Sequence, residues 1–244
     1  MNSRIVLLNL ISTSLLIALV AAASATTRTV GVSVGNTFRY SFTVSWNSTD
    51  PSATPPSDLV DLNNTQWGEI TITAISSTNI TGQMTTHYKN DTEITTGGWV
   101  DINTGNSENW TASFISANLA QGDSLYTSSP YNTWSINETV PRTYLSGVRE
   151  TNHFNMTFSS GTQSYRYNFY WDKSTGVLVE FQRGATTHTG AYTTTWSEGG
   201  QIISSNVWIV PEFSTWTSAL LILIALTSAT IIIARKRQPK RAFR

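Results

Sequence analysis

The chain has 244 residues, with 15 Lys/Arg against 15 Asp/Glu, 12% charged residues, nine tryptophans and no cysteine. Without cysteine there is no disulfide framework, zinc–thiolate site or thiol catalysis. The charge balance hides two unlike parts: residues 26–210 hold eight Lys/Arg and fourteen Asp/Glu, about −6, and six basic residues crowd the last ten positions, so the acidic bulk excludes the phosphate neutralisation on which nucleic-acid binding rests.

The first 25 residues read as a secretory signal peptide. Arg4 precedes an apolar stretch from Ile5 to Ala22, and Ala23-Ser24-Ala25 offers signal peptidase small residues before Thr26. The apolar stretch is longer than a typical signal core, which leaves an uncleaved signal anchor open. Both outcomes export residues 26–210.

Residues 26–210 form the expected extracellular domain. Gly31-Val32-Ser33-Val34-Gly35 spells G-x-S-x-G, but a nucleophile elbow needs a helix after the serine. Here Gly35-Asn36 leads into another strand, so Val30–Val34 reads as a strand and a turn. Phe38, Tyr40, Phe42, Val44 and Trp46 then alternate with Arg39, Ser41, Thr43 and Ser45. Ile70, Ile72 and Ala74 alternate with Glu69, Thr71 and Thr73. Tyr165, Tyr167, Phe169 and Trp171 do the same against Ser164, Arg166, Asn168 and Asp172. A period of two marks strands with one dry and one wet face, the habit of antiparallel sheets.

The breaks between them carry turn residues. Thr78-Asn79-Ile80-Thr81-Gly82 and Lys89-Asn90-Asp91-Thr92 interrupt the middle of the chain, and Asp172-Lys173-Ser174-Thr175-Gly176 joins Tyr165–Trp171 to Val177–Phe181. Asn47–Thr65, with Pro51, Pro55 and Pro56, reads as a long polar loop. The expected fold is all-β, an antiparallel meander forming a curved sheet or a sandwich.

Residues able to carry chemistry are scattered. His87, His153 and His188 show no ligand spacing. Asp101-Ile102-Asn103-Thr104-Gly105 has its glycine at the fifth position rather than the sixth of a calcium loop, so it reads as a turn. Glu138, Glu150, Asp172 and Glu180 could supply a glycosidase pair, though nothing in the order of residues unites two of them. No catalytic residue, metal or cofactor is expected. Asn-x-Ser/Thr acceptors for glycosylation stand at Asn47, Asn63, Asn79, Asn90, Asn109, Asn137 and Asn155, a number close to chance for so Ser/Thr-rich a chain. The aromatic content fits strand cores and, as an alternative, stacking on sugar rings. Trp208 and Trp216 flank the expected membrane boundary as interfacial residues.

The C-terminal 34 residues give an address. Trp216–Ala234 is uncharged and, at about 1.5 Å per residue, spans roughly the 30 Å of a hydrocarbon core. Arg235-Lys236-Arg237 and Lys240-Arg241 come directly after it, which places residues 235–244 in the cytoplasm and the domain outside. Pro211-Glu212-Phe213, set before such a span and a basic cluster, resembles the PEF-type C-terminal sorting signals of archaeal surface proteins. The resemblance implies that the motif, the helix and the basic tail, residues 211–244, form one tripartite signal which an archaeosortase removes; a permanent span with Pro211 merely opening its helix is the alternative. Val34-Gly35-Asn36-Thr37-Phe38, His87-Tyr88-Lys89-Asn90, Ile136-Asn137-Glu138-Thr139 and Tyr170-Trp171-Asp172-Lys173-Ser174-Thr175-Gly176-Val177-Leu178 are similar to ectodomains of archaeal surface proteins, which implies a shared β-rich fold and no catalytic set. The expectation is a non-enzymatic surface protein with a structural or adhesive role. Its expected partners are the membrane, signal peptidase, an archaeosortase and envelope glycans or proteins. A module for a glycan or apolar ligand is the alternative, and a surface hydrolase the third reading.

Overall fold

The computed structural model describes residues 28–208 apart from Ser129 and Ser146. The expected signal peptide, Pro211-Glu212-Phe213, the apolar run and the basic tail all lie outside the described residues. Ten strands form one antiparallel sheet: β1 Thr37–Ser48, β2 Thr65–Ser76, β3 Asn79–Tyr88, β4 Glu93–Asp101, β5 Ser107–Glu108, β6 Glu138–Tyr144, β7 Gly147–Ser160, β8 Gln163–Asp172, β9 Leu178–Thr189 and β10 Tyr192–Ser205. A short helix, α1, covers Ser57–Asn64. The strand order is β5-β4-β3-β2-β1-β10-β9-β8-β7-β6. Two five-stranded meanders are therefore joined back to back through β1 and β10, and the expected antiparallel meander takes the form of a single sheet.

The seam runs from Phe38 opposite Ser205 to Ser48 opposite Thr194, with one bulge between Arg39 and Tyr40. Edge strands invite pairing with other chains unless they are short or interrupted. Here β5 has two residues and β6 carries Pro141.

The sheet's inner face is covered at one end by the connection between β5 and β6. This segment contributes Trp110, Phe114, Ile115, Leu119, Leu125, Tyr126 and Ile136, all at most 2% exposed, to two apolar clusters. Trp110 lies across the paired glycines Gly82 and Gly98; an added Cβ would stand 2.6 Å from the indole ring at residue 82 and closer still at residue 98. Trp171, fully buried in β8, donates its Nε1–H to the carbonyl of Ala112 at 2.8 Å. Tyr126 donates its hydroxyl to the Phe114 carbonyl at 2.8 Å. These bonds satisfy polar groups of a segment that lacks a ladder of its own.

Four expectations are revised. Asn47–Thr65 contains α1, which starts directly after Pro56, carries Asp58 in its first turn and buries Leu59; proline before a helix and an acid at its N-terminus suit both features. Val30–Val34 is not a strand. Its neighbour Thr29 gives its carbonyl to Ala117 N–H, and Gly31 lies so close to Thr175 that a Cβ would stand 2.6 Å from the Thr175 Cα. Gly82 belongs to β3 rather than to a turn, because Trp110 occupies the space a side chain would need. Trp208 is 9% exposed and packs on Phe38 with ring centroids 5.7 Å apart, which makes it a core residue rather than an interfacial one.

Candidate functional site

Strand register converts the alternating sequence into rows on the inner face. Trp171 stands opposite Leu178 across β8 and β9, and Ile202 opposite Tyr40 across β10 and β1; Phe169, Phe181, Gly200 and Phe42 form the next row. Tyr167, Arg183, Glu198 and Val44 come after them, and then Tyr165, Ala185, Trp196 and Trp46. β7 extends the last three rows with Phe154, Met156 and Phe158. Burial falls along the rows. The first is buried throughout, whereas Trp46, Trp196, Tyr165 and Tyr167 are only half-buried and Phe158 is 39% exposed.

The gradient tracks the β5–β6 connection, which ends its cover at Trp134. That indole stacks on Phe154 at 5.0 Å and meets Tyr167 at 5.7 Å. Beyond it, Phe158 stacks on Tyr165 at 5.0 Å and faces Tyr167 at 6.0 Å. The result is an open aromatic end opposite a filled one. A contiguous exposed apolar surface on a folded chain marks an interaction site more often than an isolated apolar side chain does.

One ion pair sits within this aromatic surface. Arg183 donates Nε–H to Glu198, whose side chain is 8% exposed while that of Arg183 is 49% exposed. Among the described residues the terminal Nη nitrogens of Arg183 make no hydrogen bond, nor do Trp46 Nε1, Trp196 Nε1 and the Tyr167 hydroxyl. The sequence carried a signal for this pair. Arg183 and Glu198 are charges on the dry phase of their strands, between Phe181 and Ala185 and between Trp196 and Gly200.

The opposite face is polar. Thr157, Arg166, Gly184 and Ser197 stand in register there, and a shallow depression of about 230 Å³ opens over Gly184, lined also by Gln182 and Thr186. Drug-sized ligand sites run from about 300 Å³ upward and are mostly apolar.

Of the residues singled out from the sequence, His153 and Glu138 meet, and the rest form no shared site. His87 stacks on Trp67 at 4.8 Å and bonds Glu93 at 3.0 Å; His188 bonds Thr193 at 3.1 Å. His153, 6% exposed, lies between Glu138 at 2.9 Å and Asn168 at 2.6 Å and stacks on Tyr170 at 4.3 Å. Asp101 closes a turn through Asn103 N–H and the Thr104 hydroxyl, both at 2.9 Å. Burial pushes its carboxyl up, and these bonds with one from Thr78 outweigh it and hold the group below the usual carboxylate range. No group of three or more His, Asp or Glu able to hold a metal occurs among the described residues. Ser33 is exposed, and its N–H is held by Asn36 Oδ1 at 2.7 Å in a turn that leads into β1.

The four carboxylates each have their own partner. Glu138 faces His153, Glu150 faces Lys173 at 3.6 Å, and Asp172 faces Arg149 at 2.5 Å. Glu180 accepts from Arg142 at 2.8 and 3.0 Å and from the Tyr144 hydroxyl at 2.7 Å. Burial and the bond to Glu180 push the Tyr144 hydroxyl well above the usual phenol range. The Arg142 guanidinium also lies 4.1 Å from the centroid of the Tyr170 ring, so this network pins β6 to β8 and β9.

The glycosylation acceptors are accessible. Asn47, Asn63, Asn90, Asn109, Asn137 and Asn155 are exposed, and Asn79 is half-buried. Asn47 and Asn155 project from strands on the polar face, since their neighbours Trp46, Phe154 and Met156 occupy the aromatic one. Asn109 spends its side-chain N–H on the Gly97 carbonyl at 2.9 Å.

No protein-family model matches the chain, and no curated protein matches it. Among solved structures it is similar to an S-type phycobiliprotein lyase from Guillardia theta, at 7% identity and a TM-score of 0.20 over 70% of this chain and 88% of that one. A likeness at that TM-score carries no conclusion about fold or activity.

Proposed function

We propose that this chain is a non-enzymatic cell-surface protein that displays its β-rich domain outside the membrane in a structural or adhesive role. The observation that carries the reading is the uncharged run Trp216–Ala234 ending directly on Arg235-Lys236-Arg237. A bilayer accepts such a run, and the basic cluster keeps its far end in the cytoplasm. Among the described residues no helix is long and apolar enough to cross a membrane, so anchoring falls to that run or to whatever replaces it after an archaeosortase acts at Pro211-Glu212-Phe213.

Three features of the domain support display. Its acceptor asparagines reach solvent, its sheet edges are blunted, and Glu138, Glu150, Asp172 and Glu180 each face a separate basic partner rather than one another. The last feature disfavours the hydrolase reading. The open aromatic end favours the second reading, a module that holds a glycan or an apolar ligand.

Mass spectrometry of the native protein tests the proposal. Thr26 at the N-terminus and no peptides beyond Phe213 are expected for a processed surface protein. Recovery of peptides past Phe213 would leave a permanent span, and Met1 retained would leave a signal anchor. A soluble full-length chain recovered from the cytoplasm would defeat the reading.

A further inference from the structure

We propose that the open end of the inner face is a binding site for an acidic oligosaccharide, with Arg183 as its charged contact and Trp46, Trp196, Tyr165, Tyr167 and Phe158 as its walls. Flat aromatic faces can stack on the C–H faces of sugar rings, as they do on other flat or weakly polar groups. A purely hydrocarbon ligand would leave Trp46 Nε1, Trp196 Nε1 and the Tyr167 hydroxyl without partners, whereas sugar hydroxyls can bond all three.

The charge points the same way. Glu198 is buried and already holds Arg183 through Nε, so the half-exposed Nη fork is the part left to bind. A guanidinium fork among aromatic rings fits a carboxylate or sulfate in the plane of its donors. Among the residues of these rows Glu198 is the one carboxylate, and the side chain of Arg183 covers it.

The display reading supplies an extracellular source. Roughly 30 Å of β10, at about 3.3 Å per residue, separates Trp196 from Ser205. The chain goes on from there through Trp208, at the covered end beside Phe38, toward the apolar run. This assignment rests on the display reading for its biological source; the site chemistry does not depend on it.

The test uses the full chain in lipid nanodiscs, which avoid detergent on an apolar face. Oligogalacturonate is titrated against a neutral maltooligosaccharide of equal length, with palmitate as competitor and light scattering to track self-association. Oligogalacturonate is expected to bind and the neutral sugar to bind at least about tenfold more weakly, since the guanidinium contact is lost. Arg183→Gln and Trp196→Ala should each weaken binding by about tenfold or more, because both remove a central contact; Arg166→Gln, on the polar face, should leave it unchanged. Arg183→Lys keeps a cation beside Glu198, so a tenfold loss in that variant with unchanged melting separates recognition from folding. Equal binding of both sugars, displacement by palmitate, dimerisation lost with Trp196→Ala, or no binding at all would each overturn the assignment. Binding by a chain that cells retain in the cytoplasm would uphold the site and remove the display reading.

Discussion

The Nε1–H of Trp171 points at the carbonyl oxygen of Ala112 across 2.8 Å and a sequence separation of 59 residues. This bond joins β8 to the connection that covers the inner face, in a place where neither group meets water. Trp171 is fully buried and Ala112 is 6% exposed. Its consequence is that the filled end of the sheet depends on a segment whose regular structure is one 3-10 turn, Tyr131–Thr133, among the described residues. Trp171→Ser is expected to destabilise the domain by about 3 kcal/mol or more in denaturant unfolding, because it creates a cavity and strands the Ala112 carbonyl. A loss under about 0.5 kcal/mol would place the indole at the surface and contradict this packing.

The same reasoning predicts a mild outcome at the other end. Phe158→Ser removes a ring that is 39% exposed and is backed by Tyr165 and Tyr167. The expected cost is about 1–2 kcal/mol, below that of Trp171→Ser, since the ring keeps 39% of its surface in water. A cost comparable to that of Trp171→Ser would mean that the end is closed.

Gly98→Ala tests the seat of Trp110. A Cβ at residue 98 would meet Trp110 Cδ1 at 2.6 Å, and the ring is confined on its other side by Phe114 at a centroid distance of 5.9 Å. Overpacking of this kind costs about 1–3 kcal/mol, to be read from thermal unfolding. Gly97→Ala, with no atom within 4 Å of the added carbon, is the paired control and should change stability little.

Asp172 supplies a pH dependence. Burial pushes its carboxyl up, but hydrogen bonds from Arg149, Ser174 and Thr175 more than offset this and hold it below the usual carboxylate range. The folded value therefore lies below the unfolded one. The contribution of the ionised group is complete above the ordinary carboxylate range and drains away as pH falls through the folded value. Asp172→Asn is expected to lower stability by about 3 kcal/mol at neutral pH, as breaking a buried pair does. Parent and variant should converge in acid. A constant gap from neutral pH to acid would show that the carboxylate charge contributes nothing.

Much of the sheet could be read from side-chain alternation. β1, β2 and β8 declare their dry faces through Phe38 to Trp46, Ile70 and Ile72, and Tyr165 to Trp171. The Asp172–Gly176 turn was legible because Gly176 takes φ +72° there, a conformation glycine adopts at little cost. The seam between β1 and β10 was not, because pairing partners about 150 residues apart leave no local trace. The β5–β6 connection was equally hidden. Its buried residues obey no period of two or of 3.6, since they fill spaces left by Gly82, Gly98 and Gly176 rather than extend a regular face. Arg183 and Glu198 could have been noticed as charges out of phase with their strands, but only register shows that they meet.

The most direct measurement is protease treatment of intact cells that express the full chain, with peptide mapping of the released material. Display predicts that peptides from residues 28–208 appear without lysis and that no peptide of the basic tail is released with them. Release of those peptides only after the cells are broken would contradict it.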